Sequence, residues 1–316
     1  MSIQRILIFR SGAVGDFIVS LPAIAALRAA FPSASIDLVG YPERAVFAQP
    51  KVNRIHDVDS AQWSALFARD SDLTLLDPIL ADTDLVLAYM NDPDGVVNEN
   101  FGRLGVKRTL FHPPRPPEDE HTHAVDHLLD PIRSLNLNIP HTTPSIVPDE
   151  DTTHAVRSIR KELAIDGPHA VFHAGAGGSH KLWPSRSFVD IAERLWVERE
   201  WPVIVTGGPA DGDLATTISR EADAPVFPLD PIDLPMLAAL YAECDLYLGC
   251  DTGPSHLAAA TGAPTVVMFG PTRPEIWAPR GSCVRVVTAP DDTMAALSPE
   301  SVYVDIQAIL GTSGNS

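Results

Sequence analysis

The sequence predicts an α/β protein made of two doubly wound, parallel-sheet domains. Three observations carry that reading. Continuous apolar runs of strand length recur at Ile3–Phe9, His169–His173, Val203–Thr206 and Thr265–Phe269, as strands buried on both faces of a parallel sheet require. Segments with apolar residues at helical spacing alternate with these runs. Leu137–Asp151, with three prolines and few helix formers, interrupts the alternation near mid-chain and reads as an inter-domain linker. The 316 residues suffice for two ordinary cores. The expected division is 1–145, 152–298, and a terminal helix with tail over 299–316.

Composition narrows the partners. Hydrophobic residues make up 45% of the chain, and no apolar run approaches the roughly 20 residues that a bilayer span needs. The amino terminus enters a strand directly and lacks a signal-peptide pattern, so a cytoplasmic protein without integral membrane contact is expected. Cys244, Cys250 and Cys283 form neither a CxxC pair nor an even framework, which fits reduced thiols. A formal net charge of −18 disfavours nucleic acid and anionic membrane as primary partners, leaving peripheral membrane contact open. Residues 1–150 hold 12 basic and 20 acidic side chains, and residues 56–130 hold 5 and 15.

In chain order, Ile3–Phe9 is the first strand and Arg10-Ser-Gly-Ala-Val-Gly-Asp16 the turn after it. Phe17–Phe31 is the first helix and Ile36–Val39 the second strand, so a βαβ unit opens the chain. The turn is not a GxGxxG fingerprint, since the spacing differs and no third glycine follows. Asp16 would lie at the carboxyl end of the first strand, where open α/β sheets hold ligands; helix N-capping is its purely structural alternative. Helices at Glu43–Gln49, Ala61–Ala68 and Val96–Leu104 alternate with strands at Arg54–Val58, Leu85–Met90 and Arg108–Phe111. Pro113–Pro117 is a rigid surface loop. His121, His123 and His127, with Glu118–Glu120 and Asp126 nearby, form a loose metal-like pattern. A helix over His123–Leu135 with its polar face in water is the preferred reading, and no metal site is expected.

A helix from Thr152 to Ala164 opens the second half. The strand His169–His173 then feeds Ala-Gly-Ala-Gly-Gly-Ser-His-Lys-Leu-Trp-Pro184. This turn is not a Walker loop, yet glycines such as Gly175 and Gly177 let backbone N–H groups approach phosphate, and Lys181 adds a charge. Arg186–Arg199 is the next helix. Val203–Thr206 leads to Gly207-Gly208-Pro209-Ala-Asp-Gly-Asp213, where Asp211 or Asp213 could accept from ribose hydroxyls or cap the following helix. Ile232 and Leu234 precede a helix that ends near Glu243. Asp245–Leu248 is a strand, and the polar turn Cys250–Gly253 crowds Asp251, Thr252, Gly253 and Ser255 at the amino end of a helix running to Thr261. Free N–H groups and the positive dipole end make such a turn an anion site. Gly262 suits the left-handed position after that helix. After Thr265–Phe269 come a loop at Arg273–Arg280, a strand at Val284–Val287, a helix from Pro299 to near Gly311, and a tail.

Asp251-Thr-Gly-Pro-Ser-His256, followed by Phe-Gly-Pro-Thr272, resembles the nucleotide-sugar signature of the ADP-heptose:lipopolysaccharide heptosyltransferases, glycosyltransferase family 9. The stretches around Ser11 and Lys181 resemble the same family. The resemblance implies a GT-B type architecture, two Rossmann-like domains facing across a cleft, and an inverting, metal-independent transfer of a heptosyl group from ADP-heptose. It implies Asp16 as general base, with Arg10 and Gly15 on the acceptor side in the first domain. On the donor it implies Lys181, Gly175, Gly177, Thr252 and Gly253 at the diphosphate, Asp251 and His256 at the sugar, Asp211 or Asp213 at the nucleoside and Ile232 at the base. No cofactor is implied. The acceptor would be a glycan, the lipopolysaccharide inner core by resemblance, while the acidic surplus points to a neutral or cationic soluble acceptor. A sugar-nucleotide epimerase, a nicotinamide oxidoreductase and a non-catalytic nucleotide-sugar-binding protein are the competing classes.

Overall fold

A computed structural model of the chain describes residues 3–117, 119–208 and 211–312. The chain divides into two compact units, residues 1–144 and 145–316. The first holds five strands: β1 (Arg5–Phe9), β2 (Ser35–Gly40), β3 (Arg54–Asp57), β4 (Leu85–Tyr89) and β5 (Thr109–His112). All pair in parallel, in the order β3-β2-β1-β4-β5. Leu7, Phe9, Val86 and Ala88 of the central strands pack against Trp63, Leu66 and Phe101 from the covering segments.

The second unit holds β6 (Ala170–His173), β7 (Val203–Thr206), β8 (Val226–Pro228), β9 (Leu246–Cys250), β10 (Thr265–Phe269) and β11 (Val284–Thr288). These are also parallel, in the order β11-β10-β9-β6-β7-β8. Phe172, Leu248 and Val266 meet Phe188 of helix Ser185–Arg199 and Tyr303 of helix Pro299–Thr312 in one core. Both orders reverse direction once, between β1 and β4 and between β6 and β9. The loops at the carboxyl ends beside such a reversal form the ligand crevice of open α/β sheets. Two doubly wound parallel sheets of this kind are the GT-B class that the sequence predicts.

The departures from the predicted elements have physical causes. The helix expected over Phe17–Phe31 is two helices, Val14–Ile18 and Leu21–Ala30. Pro22 lacks the N–H that would bond the Ile18 carbonyl, so the ladder breaks at Val19–Ser20, where the Ser20 hydroxyl donates to the Phe17 carbonyl at 2.6 Å. Ala61–Phe67 is a 3-10 helix, whose three-residue turn suits the buried pair Trp63 and Leu66. The expected helix at Glu43–Gln49 is a single α-turn, Pro42–Ala45, followed by a 3-10 turn, Val46–Ala48. Sequence reading missed the helix Asp77–Leu80 and the strand β8, which ends at Pro228 and lies at a sheet edge, where proline is tolerated.

Helix Ala124–Ser134 does not turn all its polar groups to water. His127 is buried, and its ring bonds the Pro113 carbonyl. His123 is the N-cap, its Nδ1 accepting from the Val125 N–H at 3.2 Å. Glu118 lies outside the described residues, as do Pro209 and Ala210 of the glycine turn and the tail 313–316. No described helix is long and apolar enough to cross a membrane. The three cysteines are unbridged, and burial pushes the Cys250 thiol up to about 12.

Candidate active site

In the first unit the site grows from the turn after β1. Gly12 has φ +138°, which an L side chain rarely adopts, and the chain there enters helix Val14–Ile18. Asp16 is the third residue of that helix, not its N-cap. Its Oδ2 accepts from the Ala13 N–H at 3.4 Å and from Arg115 Nη2 at 2.7 Å. Arg115 stands in the loop Pro113–Pro117, and the pairing with Asp16 holds its guanidinium above the usual arginine range. Arg10 is 1% exposed. It donates to the Pro114 carbonyl at 3.1 Å and to the Asp16 carbonyl, and its guanidinium lies 5.6 Å from the Tyr89 ring centre. Burial lowers the Arg10 pKa, Asp16 opposing. Arg44, after β2, donates to the Gly12 carbonyl and stacks 4.3 Å from the Tyr41 ring centre. Gly40 lets the chains meet, since a β-carbon there would lie 2.7 Å from the Arg10 carbonyl oxygen.

Three loops build the site of the second unit. After β6, residues 174–178 lead to a 3-10 turn, Ser179–Lys181. Lys181 Nζ donates to Asp251 Oδ2 at 2.8 Å, and the Thr272 hydroxyl donates to the same oxygen at 2.7 Å. After β7, Asp211 Oδ2 accepts from the Gly208 N–H at 2.6 Å, and its carboxylate fills the space where a Gly175 β-carbon would stand. His173, below that loop, bonds Thr206 through Nδ1 at 3.0 Å, and burial lowers its pKa to about 4. After β9, helix Gly253–Thr261 begins with Thr252 as N-cap and Pro254 in the first turn. The Thr252 hydroxyl is buried without a hydrogen-bond partner among the described residues. Ser255 turns inward, donating to the Cys250 carbonyl at 2.6 Å and meeting the Tyr247 hydroxyl at 3.1 Å. Its role is structural. His256 is buried beside it.

The predicted residues thus fall into two groups. Arg10, Gly15 and Asp16 gather at the carboxyl end of β1. Lys181, Gly175, Asp211, Asp251, Thr252, Gly253 and His256 gather at the carboxyl ends of β6, β7 and β9. Gly177 is exposed with nothing near a would-be β-carbon, so no packing there requires glycine. Ile232 is half-buried ahead of helix Leu234–Ala242, which Asp233 caps by accepting from Met236 N–H at 2.9 Å. Asp213 is the exposed N-cap of helix Leu214–Glu221 without a capping hydrogen bond, so Asp211 is the carboxylate that faces the glycine loop. Among Arg10, Arg103, Lys107, Arg108 and Arg115, the basic side chains that could converge on an anion pocket, Arg103 is bound to Asn100 and Ser71, and Lys107 to Asp84 at 2.7 Å. Neither joins Arg10 and Arg115. Arg44 escaped the sequence reading, because a lone arginine after a strand carries no pattern of its own; Thr272 belongs to the Phe-Gly-Pro-Thr272 stretch of the resemblance but was given no role there.

Comparison with known proteins gives the arrangement its family. The profile of Glycosyltransferase family 9 (heptosyltransferase) matches residues 107–304. Lipopolysaccharide heptosyltransferase 3 of Escherichia coli K12 is 22% identical over 285 residues, covering 84% of this chain and 82% of the relative. A glycosyltransferase family 9 structure from Veillonella parvula superposes with a TM-score of 0.82 at 18% identity, covering 99% of this chain and 98% of the other. The E. coli ADP-heptose lps heptosyltransferase II superposes at 0.78 and 19%, covering 98% and 99%. With the profile spanning well over half of its length, the chain belongs to glycosyltransferase family 9, the heptosyltransferase family.

Proposed function

We propose that this glycosyltransferase moves a heptosyl group from ADP-heptose to a hydroxyl of a lipopolysaccharide inner-core glycan, with inversion and without a catalytic metal. The observation that carries the reading is the convergence of Lys181, Asp211, Asp251 and the Thr252 N-cap at the strand ends beside the β6–β9 reversal. Lys181 and the amino end of helix Gly253–Thr261 offer positive charge for a departing diphosphate. Gly175 and the neighbouring backbone leave room for phosphate, and Gly177 supplies a further N–H. Asp251 and His256 hold sugar hydroxyls, Asp211 accepts from the nucleoside, and Ile232 flanks the base. Asp16, steadied by Arg115 and Arg10, takes the proton of the attacking hydroxyl; Gly15 keeps the turn open to the acceptor. The chain acts in the cytoplasm, where nucleotide sugars are made.

Asp16→Asn should lower kcat by about two to four orders of magnitude, the reach of general acid–base catalysis, while ADP-heptose still binds. Lys181→Ala should weaken donor binding and turnover together. Near-normal kcat in the Asp16 variant removes the base assignment. Transfer should also continue in EDTA, and a strict requirement for added divalent ion would overturn metal independence.

The acidic surplus of residues 56–130 and the diversion of Arg103 and Lys107 favour a second acceptor class, a neutral or cationic soluble molecule such as an aminosugar compound or a protein hydroxyl. Competition between Kdo-lipid A fragments and aminosugar acceptors at low and moderate salt separates the two. Efficient transfer to the lipid fragment with amines inert eliminates the soluble acceptor.

A further inference from the structure

At the carboxyl end of β5, His112, His127 and Asp130 each bring one donor atom to within 4.8 Å of the others. Helix Ala124–Ser134 supplies two of them from positions three apart, which are neighbours on a helix surface. Two imidazoles and a carboxylate suit divalent transition ions, zinc among them.

The local hydrogen bonds prepare the rings as ligands. His127 Nε2 lies 2.9 Å from the Pro113 carbonyl oxygen. A carbonyl can only accept, so Nε2 carries the proton, and in the neutral ring Nδ1 holds the lone pair. Such a backbone partner is the usual outer support of a ligating histidine. His112 Nε2 is buried and has no hydrogen-bond partner among the described residues. An unmet buried nitrogen is costly unless something binds it. The two rings lie 4.2 Å apart at 40°. Asp130 Oδ1 accepts from Arg133 Nη1 at 2.7 Å, leaving Oδ2 for another partner, and its side chain is half-exposed.

We propose that His112, His127 and Asp130 form an open three-ligand site for a divalent transition-metal ion of the zinc type, completed by water. The ion is structural. His112 immediately precedes the loop whose Pro114 carbonyl binds Arg10 and whose Arg115 holds Asp16, so the ion ties the root of that loop to helix Ala124–Ser134. The acidic surplus of the surrounding segment favours a cation there.

The test is direct binding to the full chain after chelator treatment and desalting. Titration with Co2+ should saturate at one ion per chain with visible d–d absorption, and Zn2+ should displace it. His112→Gln and Asp130→Asn should each weaken binding by about 10- to 100-fold or more, since even outer-sphere losses cost that much. The double variant His121→Gln/His123→Gln should bind as the parent does. Zn2+ should raise the Tm of the parent but not of His112→Gln. Absence of saturable one-to-one binding, or binding untouched by His112→Gln and Asp130→Asn, overturns the site. If His112→Gln fails to fold, Asp130→Asn decides, because its side chain is half-exposed.

Discussion

Gly175 has no room for a β-carbon, because the Asp211 carboxylate occupies that space while it accepts from the Gly208 N–H. Gly175→Ala must therefore displace Asp211. Loss of a charged hydrogen-bonding group costs about 1.5–3 kcal/mol, so ADP should bind roughly 10- to 100-fold more weakly by calorimetry. Gly177→Ala meets nothing and should bind ADP as the parent does. Both glycines look alike in the sequence, and so do Asp211 and Asp213. What separates them is which side chain crosses from the β7 loop to the β6 loop, a contact between distant residues that no local pattern encodes. The places of Asp16 and Lys181 at strand ends were legible because each lies at a glycine-bearing turn after a strand, while the roles expected of them came from the family resemblance alone. Arg44 was not, since its target is the carbonyl of Gly12.

At the scale of elements, Trp183 fastens the loop after β6. Its indole N–H donates to the Leu297 carbonyl at 2.9 Å, and its ring stands 5.0 Å from that of Phe188 in an edge-to-face contact. Trp183→Phe keeps most of the apolar packing and strands a buried carbonyl, which should lower stability by about 1–3 kcal/mol in urea unfolding. A shift below about 0.3 kcal/mol would show that the hydrogen bond carries no net weight. The central strands were the most legible elements, because burial on both faces writes them as unbroken apolar runs, as at Val203–Thr206 and Thr265–Phe269. The first helix was misread where a proline outweighs a periodicity that looks continuous through Ile18, Leu21 and Ile24. Short 3-10 turns escaped because their spacing of three overlaps the helical one.

Across the whole molecule, two buried histidines contribute to the acid response. Burial lowers His169 and His173 to about 4 from the ordinary 6.5. Folding keeps both neutral, so their contribution is full above about pH 6.5 and is lost as pH falls toward about 4. The urea midpoint should drop across that window, and His169→Leu should make the slope shallower; an unchanged slope would remove His169 from the account. Limited proteolysis probes the division of the chain. Residues 137–143 carry no regular structure and are largely exposed, whereas Ile146 is pinned by its N–H to the Ala260 carbonyl at 2.9 Å. Thermolysin should cut near Leu137 or Ile139 first. The Pro113–Pro117 loop, held by Arg10, His127 and the Arg115–Asp16 pair, should resist. The hydrogen bonds described for Asp16 all come from residues 10–115, and those for Lys181, Asp211 and Asp251 all from residues 178–272. Each polar constellation is therefore heritable by itself. With the roles proposed above, a genetic exchange at the junction near residue 144 would pass on a finished nucleotide-sugar cradle to a new amino-terminal half, so lineages could change what receives the sugar without rebuilding what delivers it.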